Sequence, residues 1–128
     1  MNLEIRWQRL VDVQGATCER CQSTGDAVES AAEKLRQALQ TFGITVNIQK
    51  KEITWEEFCQ NPQESNRIWL NGKSLEAWIG ADVGQSFCCG PCGDEECRTI
   101  SMFDITYEQI PEHLILKAGL LAAADLLG

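Results

Sequence analysis

The stretch Leu3-Glu-Ile-Arg-Trp7, followed by Thr17-Cys-Glu-Arg-Cys21 and then by Val28, Ala31, Ala32, Leu35 and Leu39, decides the fold. Leu3, Ile5 and Trp7 alternate with Glu4, Arg6 and Gln8, the period of a strand with one covered face. Residues 15–25, between Gly15 and Gly25, read as a loop that carries a pair of thiols. From Val28 to Phe42 the apolar residues recur at helical spacing, with Glu29, Glu33, Lys34 and Gln37 between them. Ser23 with Asp26 three residues on predicts a cap at the start of that helix, and Gly43 predicts its stop.

Working outward, Ile44, Val46 and Ile48 predict a second strand. Thr54 to Gln60 reads as a short helix capped by Thr54, packed through Trp55 and Phe58, and ended by Asn61-Pro62. Ile68-Trp69-Leu70 is a third strand, and Asn71-Gly72 is a strong hairpin turn. From Gly80 to Cys97 there are five glycines or prolines, four cysteines and almost no periodicity. Ile100 to Tyr107 reads as extended, with a break near Asp104. Pro111 opens a final helix. That helix is apolar on more than one face (Leu114, Ile115, Ala118, Leu121, Ala122, Leu126), so it is expected to sit deep against a sheet or to supply a homodimer interface. No repeat or linker interrupts the chain. The expectation is one α/β domain over residues 1–128, with residues 80–98 as a cysteine-rich insertion before the last strand.

Composition narrows the function. The 128 residues are 23% charged and 44% hydrophobic, as in a soluble globular domain large enough to bury its own core. The net charge of −8 argues against nucleic acid or an anionic membrane surface as partner. Residues 1–7 alternate rather than forming an apolar run, so no signal peptide is expected. The apolar stretch Leu114 to Leu127 is too short to span a membrane and carries Lys117 and Asp125. A cytoplasmic protein is the expectation. In that compartment a dithiol is ordinarily reduced, catalytic or metal-bound.

The seven cysteines carry the chemistry. Cys18 and Cys21 form one C-x-x-C pair; Cys89 and Cys92 form another, flanked by Cys88 and Cys97. Two thiols at this spacing can close a disulfide ring or grip one soft metal ion. A thiol at a helix N-terminus is favoured as thiolate by the helix dipole. In the second cluster Cys89, Cys92 and Cys97 can form a three-thiolate site completed by Cys88 or an outside ligand, with Gly90, Pro91 and Gly93 letting the backbone fold around it. A second arrangement joins Cys18 and Cys21 to Cys89 and Cys92. A third is a disulfide relay between the two pairs. The plainer reading is a structural zinc or disulfide that pins the insertion. Cys59 beside Phe58 reads as a packed side chain, His113 as solvated, and Asp94-Glu95-Glu96 as a solvated acidic turn. No phosphate loop, Ser–His–Asp set or paired-carboxylate signature is present.

The order strand, helix, strand, helix, strand, hairpin, helix is that of a thioredoxin-like βαβαββα sandwich. Trp7-Gln-Arg-Leu10, Thr17-Cys-Glu-Arg-Cys21, Ser65-Asn-Arg-Ile-Trp-Leu-Asn-Gly72, the cluster from Cys88 to Arg98 and Tyr107-Glu-Gln-Ile-Pro111 together resemble a bacterial and archaeal family of uncharacterised thioredoxin-like proteins. The resemblance spans nearly the whole chain and implies the fold. By analogy with that fold, Cys18 is the attacking thiol and Cys21 the resolving one, with Cys89 and Cys92 as a second redox station. The chain departs from ordinary thioredoxins, which have Trp-Cys-Gly-Pro-Cys after the first strand. Here Cys89-Gly-Pro-Cys92 occurs downstream instead. Ser65-Asn66 stands where thioredoxins place a cis-proline facing the dithiol, which leaves more room for a metal. The leading expectation is thiol–disulfide chemistry with a partner protein. The runner-up is binding of a soft metal or metalloid such as zinc, copper(I), mercury or trivalent arsenic.

Overall fold

In the computed structural model, residues 1–11, 19–61, 64–87 and 96–128 are described, without the side chains of residues 19, 20, 55, 59, 86, 87, 96 and 97. Strand β1 (Asn2–Leu10) buries Leu3, Ile5 and Trp7 as its alternation requires, and Leu10 on the opposite face. Toward its end Gln8 is buried as well, so both faces of the strand are covered there. Helix α1 (Glu19–Leu39) returns over the sheet on the stripe Val28, Ala31, Ala32, Leu35 and Leu39.

Helix α1 starts a turn earlier than the predicted cap at Ser23 and Asp26. Gly25 is therefore inside the helix rather than in a loop. The reason is packing. A Cβ at Gly25 would overlap the ring of Trp7, so this glycine lets the helix settle onto the largest side chain of β1. Ser23 makes its hydrogen bond to Gln109 Oε1 (2.9 Å), and Asp26 accepts from Gln22 Nε2 (3.0 Å). Past Leu39 a 3-10 turn (Gln40–Phe42) leads to Gly43 at φ 71°. The tightened turn moves Phe42 off the buried stripe and leaves it 55% exposed.

Strand β2 (Thr45–Ile53) runs parallel to β1, with Leu3 opposite Val46 and Ile5 opposite Ile48. Helix α2 (Trp55–Gln60) opens on the predicted Thr54, in a full capping box: Glu57 N donates to Thr54 Oγ1 (3.2 Å) and Thr54 N to Glu57 Oε1 (3.0 Å). Strand β3 (Arg67–Leu70) is antiparallel to β1. The turn Asn71-Gly72, with φ of 51° and 80°, links it to the short β4 (Lys73–Ser74). The first sheet has the order β2-β1-β3-β4.

The insertion is more regular than its composition suggests. Ser74 caps a short helix, α3 (Leu75–Ile79), ended by Gly80 at φ 70°. A second, antiparallel sheet follows in the order β5-β6-β7, from β5 (Asp82–Phe87), β6 (Glu96–Met102) and β7 (Ile105–Tyr107). The break foreseen near Asp104 is the β6–β7 turn, where Phe103 and Asp104 have φ of 53° and 64°. The expectation of an irregular stretch over residues 80–98 is corrected for its flanks, which are paired strands. Their order comes from register (Val83 opposite Ile100) rather than from any pattern in β5 itself. The cysteine-bearing connection thus precedes the last two strands rather than the last one.

Helix α4 (Glu112–Leu126) starts one residue after Pro111, which is its N-cap. It packs deep, as one of the two alternatives predicted, through Leu114, Ile115, Ala118, Gly119, Ala122 and Ala123. Gly119 lies so close to Leu35 of α1 that a Cβ there would overlap the leucine side chain. Leu121, one of the residues that make this helix apolar on more than one face, is 41% exposed. The described residues form a mixed α/β structure with two sheets and four α-helices. No helix among the described residues is long and apolar enough to cross a membrane.

Candidate functional site

Helix α1 settles on Trp7 of β1 at Gly25, and the end of β1 meets the turn before β3 through Gln8 and Glu64. Cys21 is the third residue of α1 and is only 1% exposed. The helix around it is anchored to the segment that leads into α4. Thr24, fully buried, accepts a hydrogen bond from Ile110 N through Oγ1 (3.1 Å), and Ser23 holds Gln109. A cysteine in the first turn of a helix pinned at that end sits in a fixed position relative to the dipole.

A polar network links β1 to the segment entering β3. Gln8 of β1, 3% exposed, donates through Nε2 to the carbonyl oxygen (2.6 Å) and to the Oε2 carboxylate oxygen (3.0 Å) of Glu64. Arg67, opposite Gln8 in the β1–β3 register, donates to Glu64 Oε1 (2.9 Å) and lies over the Trp69 ring at 4.4 Å. From the second sheet Arg98, the residue after Cys97, is ion-paired with Glu76 of α3. Burial and the neighbouring Arg67 charge push the Arg98 guanidinium down to about 10, with Glu64 opposing. It stays cationic at neutral pH, so its burial requires the carboxylates around it. Gln8, Glu64 and Arg67 thus join β1 to the start of β3, and Arg98 with Glu76 joins β6 to α3, with Arg98 close enough to Arg67 and Glu64 to feel their charges.

Between Glu64 and Arg67 the chain turns through Ser65 and Asn66, both buried. Asn66 adopts the left-handed conformation (φ 54°), and no peptide bond among the described residues is cis. Its Oδ1 is buried with no hydrogen-bond partner among the described residues. An orphaned acceptor costs about 1–3 kcal/mol, and left-handed backbone at a residue with a side chain adds to it. Such costs concentrate where a structure serves binding or chemistry.

Of the predicted site residues, Cys21 is the one whose side chain is described. Cys18, Cys88, Cys89 and Cys92 lie outside the described residues, as does Pro62. Cys97 is placed by its backbone on β6, opposite Ser86, and Cys59 on α2. Among the described residues no group of three or more His, Cys, Asp or Glu side chains could hold a metal. His113 is exposed, edge-on to Tyr107 at 6.0 Å. A groove of about 420 Å³ lined by Glu33, Arg36, Gln40, Thr45 and Val46 lies at the other end of α1, roughly 20 Å along the helix from Cys21, and holds no thiol. Sequence reasoning missed Gln8, Glu64, Arg67 and Glu76. Gln8 alternates with apolar residues like any solvent-facing side chain, and nothing local signals that Glu64, fifty-six positions later, accepts its hydrogen bonds.

These features define a mixed α/β protein with a buried cysteine in the first turn of a helix, a polar cluster where β1 meets the start of β3, and a buried ion pair between α3 and the second sheet. The chain belongs to the family described as Domain of unknown function (DUF2703), whose profile matches residues 3–119. It is similar to an uncharacterized protein of Archaeoglobus fulgidus, with 41% identity over 115 residues that cover 90% of this chain and 83% of the relative. No solved structure matches it.

Proposed function

We propose that this protein is a cytoplasmic thioredoxin-like dithiol protein that exchanges disulfides with a partner protein. The observation that carries the reading is Cys21, buried in the first turn of the helix directly after β1. The sheet order β2-β1-β3-β4, with β2 parallel and β3 antiparallel to β1, supports the thioredoxin-like assignment. The Cys18 thiolate attacks one sulfur of a partner disulfide, forms a mixed disulfide and expels the partner's other sulfur as thiolate. Cys21 then loses its proton and attacks Cys18, closing the Cys18–Cys21 disulfide and releasing the partner as dithiol. Cys89 and Cys92 pass two electrons to that disulfide by the same exchange and become oxidised in turn. Burial suits Cys21 to the resolving role, since a buried thiol is shielded from a bulky partner until a mixed disulfide forms beside it.

The runner-up is a soft-metal or metalloid site built from Cys18 and Cys21 with Cys89 and Cys92, or from Cys88, Cys89, Cys92 and Cys97. It is favoured by the trans, left-handed Asn66 in the turn before β3, where a cis-proline would crowd a metal. Native mass spectrometry of protein purified without oxygen or added metal tests the two. Metal-free protein that gains one or two reversible disulfides, each a loss of about two mass units, and that accumulates a mixed disulfide in Cys21→Ser, supports exchange. One bound ion, lost when either dithiol is changed, would replace it with the metal reading.

A further inference from the structure

One face of α4 is buried on α1 and the first sheet; the opposite face is exposed, polar at His113 and Lys117 and largely apolar beyond them. Leu120 (51%), Leu121 (41%) and Leu127 (52%) are exposed on it, with the small Ala124 between them. The patch continues onto the second sheet, because Phe103, 83% exposed at the β6–β7 turn, has its ring 6.0 Å from Lys117 Nζ. Lys117 stands one helical turn before Leu120 and Leu121. The apolar side chains present on the order of 500 Å² per copy, at the upper end of what a monomer exposes and over half of one side of a standard interface.

Charge selects the occupant. Lys117 and Asp125 bracket Leu121 at four residues on either side, and neither forms an ion pair among the described residues. We propose that this face pairs with a second copy of the chain, the two α4 helices antiparallel about a two-fold axis at Leu121. In that arrangement position 121 − n of one helix comes level with 121 + n of the other. Lys117 of each copy therefore meets Asp125 of its partner, and the contact occurs twice. A parallel pair would set like charges side by side. Phe103 of each copy extends the apolar contact beyond the helix, and the interface is closed and isologous. The inference is independent of what the cysteines do.

Sedimentation equilibrium of the full chain in excess reductant, which removes intermolecular disulfides, tests it. Wild type is expected to show a monomer–dimer equilibrium with a Kd of about 1–100 μM. Leu121→Asp, at an exposed position, should weaken it more than tenfold. Lys117→Glu alone and Asp125→Lys alone should each weaken it about tenfold. An equimolar mixture of those two variants should associate to within a few-fold of wild type, because every cross-interface pair is again opposite in sign. That mixture decides the matter even if Leu121→Asp does not fold. A wild-type chain that stays monomeric to about 1 mM, or a mixture that associates no better than its components, would overturn the pairing.

Discussion

The two sheets are held by different forces. In the first, β1 lies between β2 and β3, with Leu3, Ile5 and Trp7 buried beneath α1 and α4. In the second, β5 shows Asp82, Val83 and Gln85 to solvent, and the paired β6 contributes Ile100 to the core. What fastens the second sheet near its cysteines is a buried ion pair, Arg98 with Glu76. Apolar burial is non-directional and tolerant of sliding, whereas a buried ion pair accepts one geometry. The first sheet supplies stability, and the pair supplies a fixed placement of β6, at the residue after Cys97, against α3.

The largest effect is expected where the first sheet is attacked. Trp7→Ala removes the biggest fully buried side chain and should cost about 3–5 kcal/mol of global stability, read as a lower denaturant midpoint with an unchanged slope. A change confined to β5–β7 would reverse the comparison. Glu76→Gln comes next. It leaves Arg98 charged and poorly compensated, at a cost of about 2–3 kcal/mol. Here the loss should be local: faster amide exchange in β5 and β6, with β1 and β2 still protected. Replacing both partners with apolar residues (Arg98→Met with Glu76→Leu) should recover most of that stability. The doubly changed chain should still lose the fixed placement, read as slower disulfide exchange between the two dithiols. Gly25→Ala is smaller, about 1–2 kcal/mol, because the Trp7 ring must shift. In a Trp7→Leu background the same substitution should be close to neutral, which measures the coupling directly.

What could be read in the sequence divides along the same line. β1, the buried stripe of α1, the Thr54 cap and the Asn71-Gly72 turn were legible because each is specified by residues within a few positions of one another. Gly25 was misread as a loop residue because its reason is Trp7, eighteen positions earlier and in another element. β5 was illegible because Asp82-Val-Gly-Gln-Ser-Phe87 carries little strand pattern of its own and owes its form to β6. Within the candidate site, C-x-x-C spacing pointed to Cys21 directly. Ser65-Asn66 stood out only against the proline of thioredoxins. The Gln8–Glu64–Arg67 network had no local signature, since it exists only once β1 meets the segment entering β3.

The smallest test sets an exposed ion pair against the buried one. Lys34 of α1 lies 2.7 Å from Glu112 at the start of α4, with the lysine side chain 61% exposed. The hydrogen bond from Lys34, aided by Ser30, holds the Glu112 carboxyl below its ordinary value of 4.5, against a smaller opposing effect of burial. A carboxyl whose pKa is lower folded than unfolded contributes stability that is fully present above its unfolded pKa and lost as pH falls through the folded one. Stability joining α1 to α4 should therefore be intact at neutral pH and decline only below about pH 4.5. Lys34→Met should flatten that decline while barely changing stability at pH 7, because exposed pairs contribute little. Salt should mimic the substitution by screening the pair. The Arg98–Glu76 pair, out of reach of solvent ions, should hold β5 and β6 unchanged under the same salt. Equal salt sensitivity in the two places, followed by amide exchange, would mean that the second sheet is fastened by something other than its buried charge.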